Sequence, residues 1–152
     1  MMVDTSASMQ AALKLLSRKP RSIHEIIEGL QNKQHTEAAI AETVSRLIEW
    51  GYLNDSKFAE DWITGRLRNK PMGPLRLRKE LEEKGISSTI IDSKLEERFD
   101  SQTEFEIAHQ LAIFYLNKPS ANWSKAAGFL ERRGFSCETI NAVLDSLKQD
   151  SY

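Results

Sequence analysis

Glu106 and His109 stand three residues apart, the spacing with which one helix offers a carboxylate and an imidazole to a metal ion. A di-iron helical site needs that pair twice plus two further carboxylates, and no second Glu-x-x-His occurs in the chain. The remaining histidines, His24 and His35, fall in other helices or loops, so all three read as surface or interhelical groups. Cys137 follows Gly134 and Ser136 at a helix start, where a thiol is a candidate nucleophile only with a base beside it. No histidine is near it in sequence, so a small, buried or half-buried residue is expected. There is no Gly-x-Ser-x-Gly elbow and no Walker glycine loop. Glu82-Glu83 and Glu96-Glu97 sit at helix-surface spacing and read as solvated. The expectation is a non-enzyme with no metal and no cofactor.

Charge is the chemistry that remains. Six basic residues, Arg66, Arg68, Lys70, Arg76, Arg78 and Lys79, occur with no acidic residue between them. The net charge is −1, yet without these six the chain keeps 15 basic against 22 acidic residues. Such clustering favours a localised contact with an anionic surface, because counterion release rewards concentrated charge. Arg66 and Lys70 also complement the dipole at a helix end. On the following helix Leu77 and Leu81 mark the buried stripe, Arg76 and Lys79 point to solvent, and Arg78 flanks the core. Glu83 is placed to pair with Arg76 or Lys79. The cluster holds no aromatic residue, which argues against a single-strand stacking platform there.

The elements that carry these residues repeat. Lys-Pro occurs at 19–20, 70–71 and 118–119, and LEEKGISSTIIDSKL (81–95) aligns with LERRGFSCETINAVL (130–144) at a shift of 49. The first copy, LQNKQHTEAAIAETV (30–44), fits at a shift of 51, with Gln34 in place of the glycine. Each copy predicts three helices. In the first, Leu13 and Leu16 mark a helix ending before Pro20. A second opens with the capping-box spacing Ser22-x-x-Glu25 and shows Ile23, Ile26, Ile27 and Leu30 on one face. A third runs from Thr36 with Ile40, Val44, Leu47 and Ile48 inward, and stops at Gly51. The middle copy turns Phe58, Trp62 and Ile63 inward, restarts at Pro74 and ends at Gly85. The last opens at Ser101-x-x-Glu104, a second capping-box spacing, and presents Ile107, Leu111, Phe114 and Tyr115 as its stripe. The fold class is therefore all-α: three tandem three-helix repeats, over residues 4–53, 54–100 and 101–150, stacked into an elongated, curved body. Such a body suits a large partner better than an enclosed small molecule.

Composition agrees with a soluble chain: 152 residues, 40% hydrophobic and 28% charged. One cysteine supports no disulfide framework, and no apolar run reaches the roughly 20 residues of a membrane span. The start, MMVDTSASMQ, has neither the basic segment nor the apolar core of a signal peptide, so a cytoplasmic protein is expected.

GYLNDSKFAEDWI (51–63) followed by RLRNKPMGPLRLRKELEEKGI (66–86) closely resembles the signature core of the RecX family, regulators of the RecA recombinase. The residues that carry the resemblance are Gly51, Tyr52, Leu53, Asp55 and Phe58, then Gly73, Pro74, Leu77, Arg78, Leu81, Lys84, Gly85 and Ile86. Pro71-Met72 stands where the family commonly has glycine-tyrosine. The resemblance implies a non-enzymatic, monomeric modulator that lodges in the groove of the RecA–single-stranded DNA filament. It implies reduced ATP hydrolysis, strand exchange and co-protease activity, in recombination, DNA repair and the SOS response. The six basic residues would meet acidic RecA surface, DNA phosphates, or both, with weak direct contact to DNA. The alternative is a three-helix module that acts directly on nucleic acid.

Overall fold

A computed structural model describes residues 4–150, and among these residues every regular element is an α-helix. The order is α1 (Ser6–Arg18), α2 (Ile23–Asn32), α3 (Glu37–Glu49), α4 (Asp55–Asn69), α5 (Pro74–Glu83), α6 (Ser88–Arg98), α7 (Ser101–Leu116), α8 (Trp123–Arg132) and α9 (Cys137–Asp150). The helix starts are written in the sequence. Ser22 and Glu25 form the reciprocal capping box, Thr36 and Ser87 each accept a backbone N–H through their hydroxyls, and Pro74 fills the first position of α5. No described helix is long and apolar enough to cross a membrane.

Each unit closes its own core. Ile26, Leu30, Ile40, Val44, Leu47 and Leu53 centre the first, and Ile63, Leu77, Leu81, Ile91 and Leu95 the second. Leu130, Phe135, Ile140, Val143 and Leu144 centre the third. Helix packing runs mainly within units, so the chain is a row of small cores, as the repeat pattern predicts. Met72 is fully buried in the second core. Pro71 beside it is only partly buried, so of the Pro71-Met72 pair the methionine is the interior residue.

The units meet through one junction used twice. The N-terminus of α2 abuts the C-terminus of α5: the Ser22 hydroxyl donates to the Lys84 carbonyl at 2.6 Å, and Asp55 accepts from the Ile23 N–H at 2.9 Å. In the same way the N-terminus of α5 abuts the C-terminus of α8. There Gly73 N–H donates to Arg133 O at 2.7 Å and Leu75 N–H to Gly134 O at 3.0 Å. The middle helices α8, α5 and α2 therefore run head to tail, with the free donors of one start facing the free carbonyls of the next end. The fit is close enough to require glycine: a Cβ on Gly85 would lie 2.4 Å from the Cβ of His24. Gly85 and Gly134 both hold positive φ. Gln34, their counterpart at the outer end of the first unit, has φ 65° and lies exposed. No described unit docks on that exposed position, and a side chain is tolerated there.

The structure corrects four expectations. Ser101 and Glu104 form no capping box; Asp100 caps α7 through Thr103 N–H, and Glu104 turns inward. At 9% exposure its carboxylate accepts from the Ser136 and Thr139 hydroxyls at the start of α9, tying first helix to third. Ile48 and Phe114 leave their stripes, at 47% and 64% exposure. In α7 the smaller Ala108 and Ala112 lie fully buried instead, because a close α7–α9 approach leaves no room for larger side chains. Cys137 is exposed at the first position of α9, where the side chain points away from the core.

Candidate partner-binding face

The six basic residues divide into two sets. Arg66 is engaged in a fork on Glu80, Nε to Oε1 at 3.0 Å and Nη2 to Oε2 at 3.2 Å, with its guanidinium 5.0 Å from the Trp62 ring centre. The Trp62 indole N–H donates to the same Glu80 oxygen at 2.9 Å. Arg76 reaches Glu80 at 3.9 Å and donates to the Arg132 carbonyl at 3.1 Å. The pairing expected with Glu83 goes to Glu80, which the α4–α5 packing brings inward. Arg78 pairs with Asp92 on α6. These three arginines hold helices and units together.

Arg68, Lys70 and Lys79 form the other set. They are exposed and enter no ion pair among the described residues. Arg68 and Lys70 end α4, and Lys79 lies on the outer side of α5. An exposed, unpaired charge can engage a partner without first breaking an ion pair within the protein.

The fold adds cations that the linear segment does not contain. Arg132 and Arg133, from the third unit, are carried to Arg76 by the second junction. The Arg133 guanidinium donates to Pro71 O at 2.8 Å and lies 4.9 Å from the Phe129 ring centre. Burial, and then the positive charge of Arg76, pulls its pKa below the ordinary arginine value. The signal was present in the repeat: the shift of 49 that maps Gly85 onto Gly134 also maps Lys84 onto Arg133. Lys84 holds the equivalent place in the first junction, 3.3 Å from Glu25 and 5.1 Å from the Trp62 ring centre.

The motif residues take mostly architectural places. Gly51 supplies a positive φ after α3, Leu53 enters the first core, and Phe58 stacks on Trp62 at 6.0 Å. Asp55, half-buried at the first junction, has its pKa raised by burial, with Glu25 adding to the rise and the Ile23 N–H and His24 opposing it. Tyr52 is the large motif side chain left open, at 61% exposure. No group of three or more metal-ligating side chains exists among the described residues. His24, His35 and His109 are spent on Glu28, Ser8 and the Phe105 ring.

This arrangement has close relatives. Residues 9–47 match the family model for the first three-helix domain of RecX, and residues 54–95 match that for its second. The regulatory protein RecX of Chlorobium phaeobacteroides is 35% identical over 144 residues, 95% of each chain. That of Bacillus subtilis is 31% identical over 152 residues, and the match spans 58% of its length. The crystal structure of RecX from Lactobacillus salivarius superposes with a TM-score of 0.79 at 26% identity, over 95% of this chain and 97% of that one. A second crystal structure, of regulatory protein RecX, gives a TM-score of 0.81 at 23% identity and shares the fold.

Proposed function

The chain belongs to the RecX family of regulatory proteins, and from that premise we propose that it binds the RecA–single-stranded DNA filament and restrains it. The activities restrained are ATP hydrolysis, strand exchange and co-protease action, in the cytoplasm and without chemistry of the protein's own. The observation that carries this reading is the row of three separately cored units fixed head to tail, with Arg68, Lys70 and Lys79 left unpaired on the middle one. A row of units touches neighbouring protomers at once, so each contact raises the effective concentration of the next. Because the spacing of its contacts is fixed, it binds best to one filament pitch and shifts the population toward it. The three free cations meet acidic recombinase surface or DNA phosphate.

Measuring single-strand-stimulated ATP hydrolysis by RecA tests this directly. Near-stoichiometric protein lowers the rate; an unchanged rate sinks the proposal. The triple variant Arg68→Glu, Lys70→Glu, Lys79→Glu keeps its helix content and inhibits at least about tenfold less well. Tight, salt-sensitive binding to naked duplex with no effect on RecA supports the direct nucleic-acid module instead.

A further inference from the structure

The outer end of the third unit carries a surface that the basic segment lacks. Between Glu106 and Glu131 the sequence holds no acidic residue, but it holds Lys118 and Lys125 among Phe114, Tyr115, Trp123 and Phe129. The fold adds Lys148 from α9. The Lys118 ammonium lies 5.4 Å from the Phe114 ring centre and 5.5 Å from that of Tyr115, and Lys148 lies 5.5 Å from that of Trp123. None of the three lysines enters an ion pair among the described residues, and all are exposed. Phe114 is 64% exposed beside Ile113, at 42%. Next to them opens a cleft of about 390 Å³ lined by Ile113, Leu116, Asn117, Asn122 and Trp123. Asn117 lies one turn from Phe114 and joins the ring surface to the cleft.

We propose that this end is a single-stranded nucleic-acid contact, in which unpaired bases stack on Phe114 and Trp123 while Lys118, Lys125 and Lys148 neutralise the adjoining phosphates. Lys118 and Lys148 lie over these rings on long, exposed side chains, so a base takes the ring face as the ammonium moves to the adjoining phosphate, and every base offers a π-face to such rings. The exposed Asn117 amide beside Phe114 adds a donor and an acceptor for a base edge. A membrane face would present a continuous apolar stripe, whereas Asn117, Ser120 and Asn122 interrupt this one with polar groups. A duplex keeps its bases stacked inside and offers the rings nothing. The proposal stands independently of the recombinase reading.

The test is fluorescence anisotropy of labelled oligothymidine with the full chain, without recombinase, across a low-salt series. Phe114→Ala weakens binding about tenfold with the salt slope unchanged, and Phe114→Tyr, which keeps a ring, binds as wild type. The pair Lys118→Gln, Lys148→Gln lowers the slope of log K against log salt by about 1.4, two phosphates' worth on a single strand. Three results overturn the proposal: no binding of oligothymidine, unchanged binding by Phe114→Ala, or capture by phosphatidylglycerol vesicles with no uptake of oligothymidine. Each leaves the ATPase test of the filament reading untouched.

Discussion

Gly134 lies against the backbone of Arg76 so closely that a Cβ on the glycine would stand 2.4 Å from the Arg76 nitrogen. Backbone cannot swing aside as a side chain can, so the second junction exists only with glycine there.

Gly134→Ala is therefore expected to cost more than the roughly 1–2 kcal/mol of a left-handed residue alone, because the junction must also open. Denaturant unfolding measures the loss, and faster hydrogen exchange at the Gly73 and Leu75 amides locates it. Gln34→Gly is the control: the same left-handed backbone with no neighbour to displace. It removes strain of about 1–2 kcal/mol and adds unfolded-state freedom of nearly 1, so stability stays level or rises slightly.

Glu80 serves Trp62, Arg66 and Arg76 together. Replacing it with alanine leaves those donors without their acceptor in a partly buried site, and a loss of about 1–3 kcal/mol is expected. Glu80→Gln retains one acceptor oxygen and falls between the two in thermal unfolding. Equal stability of all three forms would show the network to be ornamental.

Asp55 gives a pH dependence of known sign. Its pKa is raised above the ordinary 3.8 chiefly by burial, so the folded state binds the proton more tightly than the unfolded chain. The contribution is full below the unfolded value and is lost as pH climbs through the higher folded one. Asp55→Asn still accepts from the Ile23 N–H but carries no charge. The stability gap between wild type and this variant should shift in favour of the variant as pH rises from about 3.5, and then level off. A gap that moves the other way, or stays flat, would contradict the assignment.

Glu104 joins α7 to α9 through two hydroxyls. Glu104→Ala leaves the Ser136 and Thr139 hydroxyls only their bond to each other and the Thr139 N–H, and a cost of about 1 kcal/mol is expected, concentrated in the exchange of α9 amides.

Most of the architecture is legible along the chain because it is set locally. Pro20, Pro71 and Pro119 follow the ends of α1, α4 and α7, and Ser22, Thr36, Ser87 and Pro74 open helices through contacts within one turn. Periodicity also locates Leu77, Leu81, Ile91 and Leu144 inside. What the sequence hides is settled between distant residues. Nothing near Glu104 announces Ser136 and Thr139, 32 and 35 residues away. Likewise the division of the basic segment into engaged Arg66, Arg76 and Arg78 and free Arg68, Lys70 and Lys79 depends on where Glu80, Asp92 and the Arg132 carbonyl arrive. Phe114 fits the helical stripe by spacing, but the tight α7–α9 approach spends the inner positions on alanine.

Because α8, α5 and α2 join start to end, the two extremities of the row are unlike: one presents helix donors at Asn122, the other helix acceptors and Gln34. The molecule is thus a vector with no two-fold axis along its length. Placed on a track whose own repeats all point one way, such an object has a single correct heading. Reversing it would misplace every contact at once.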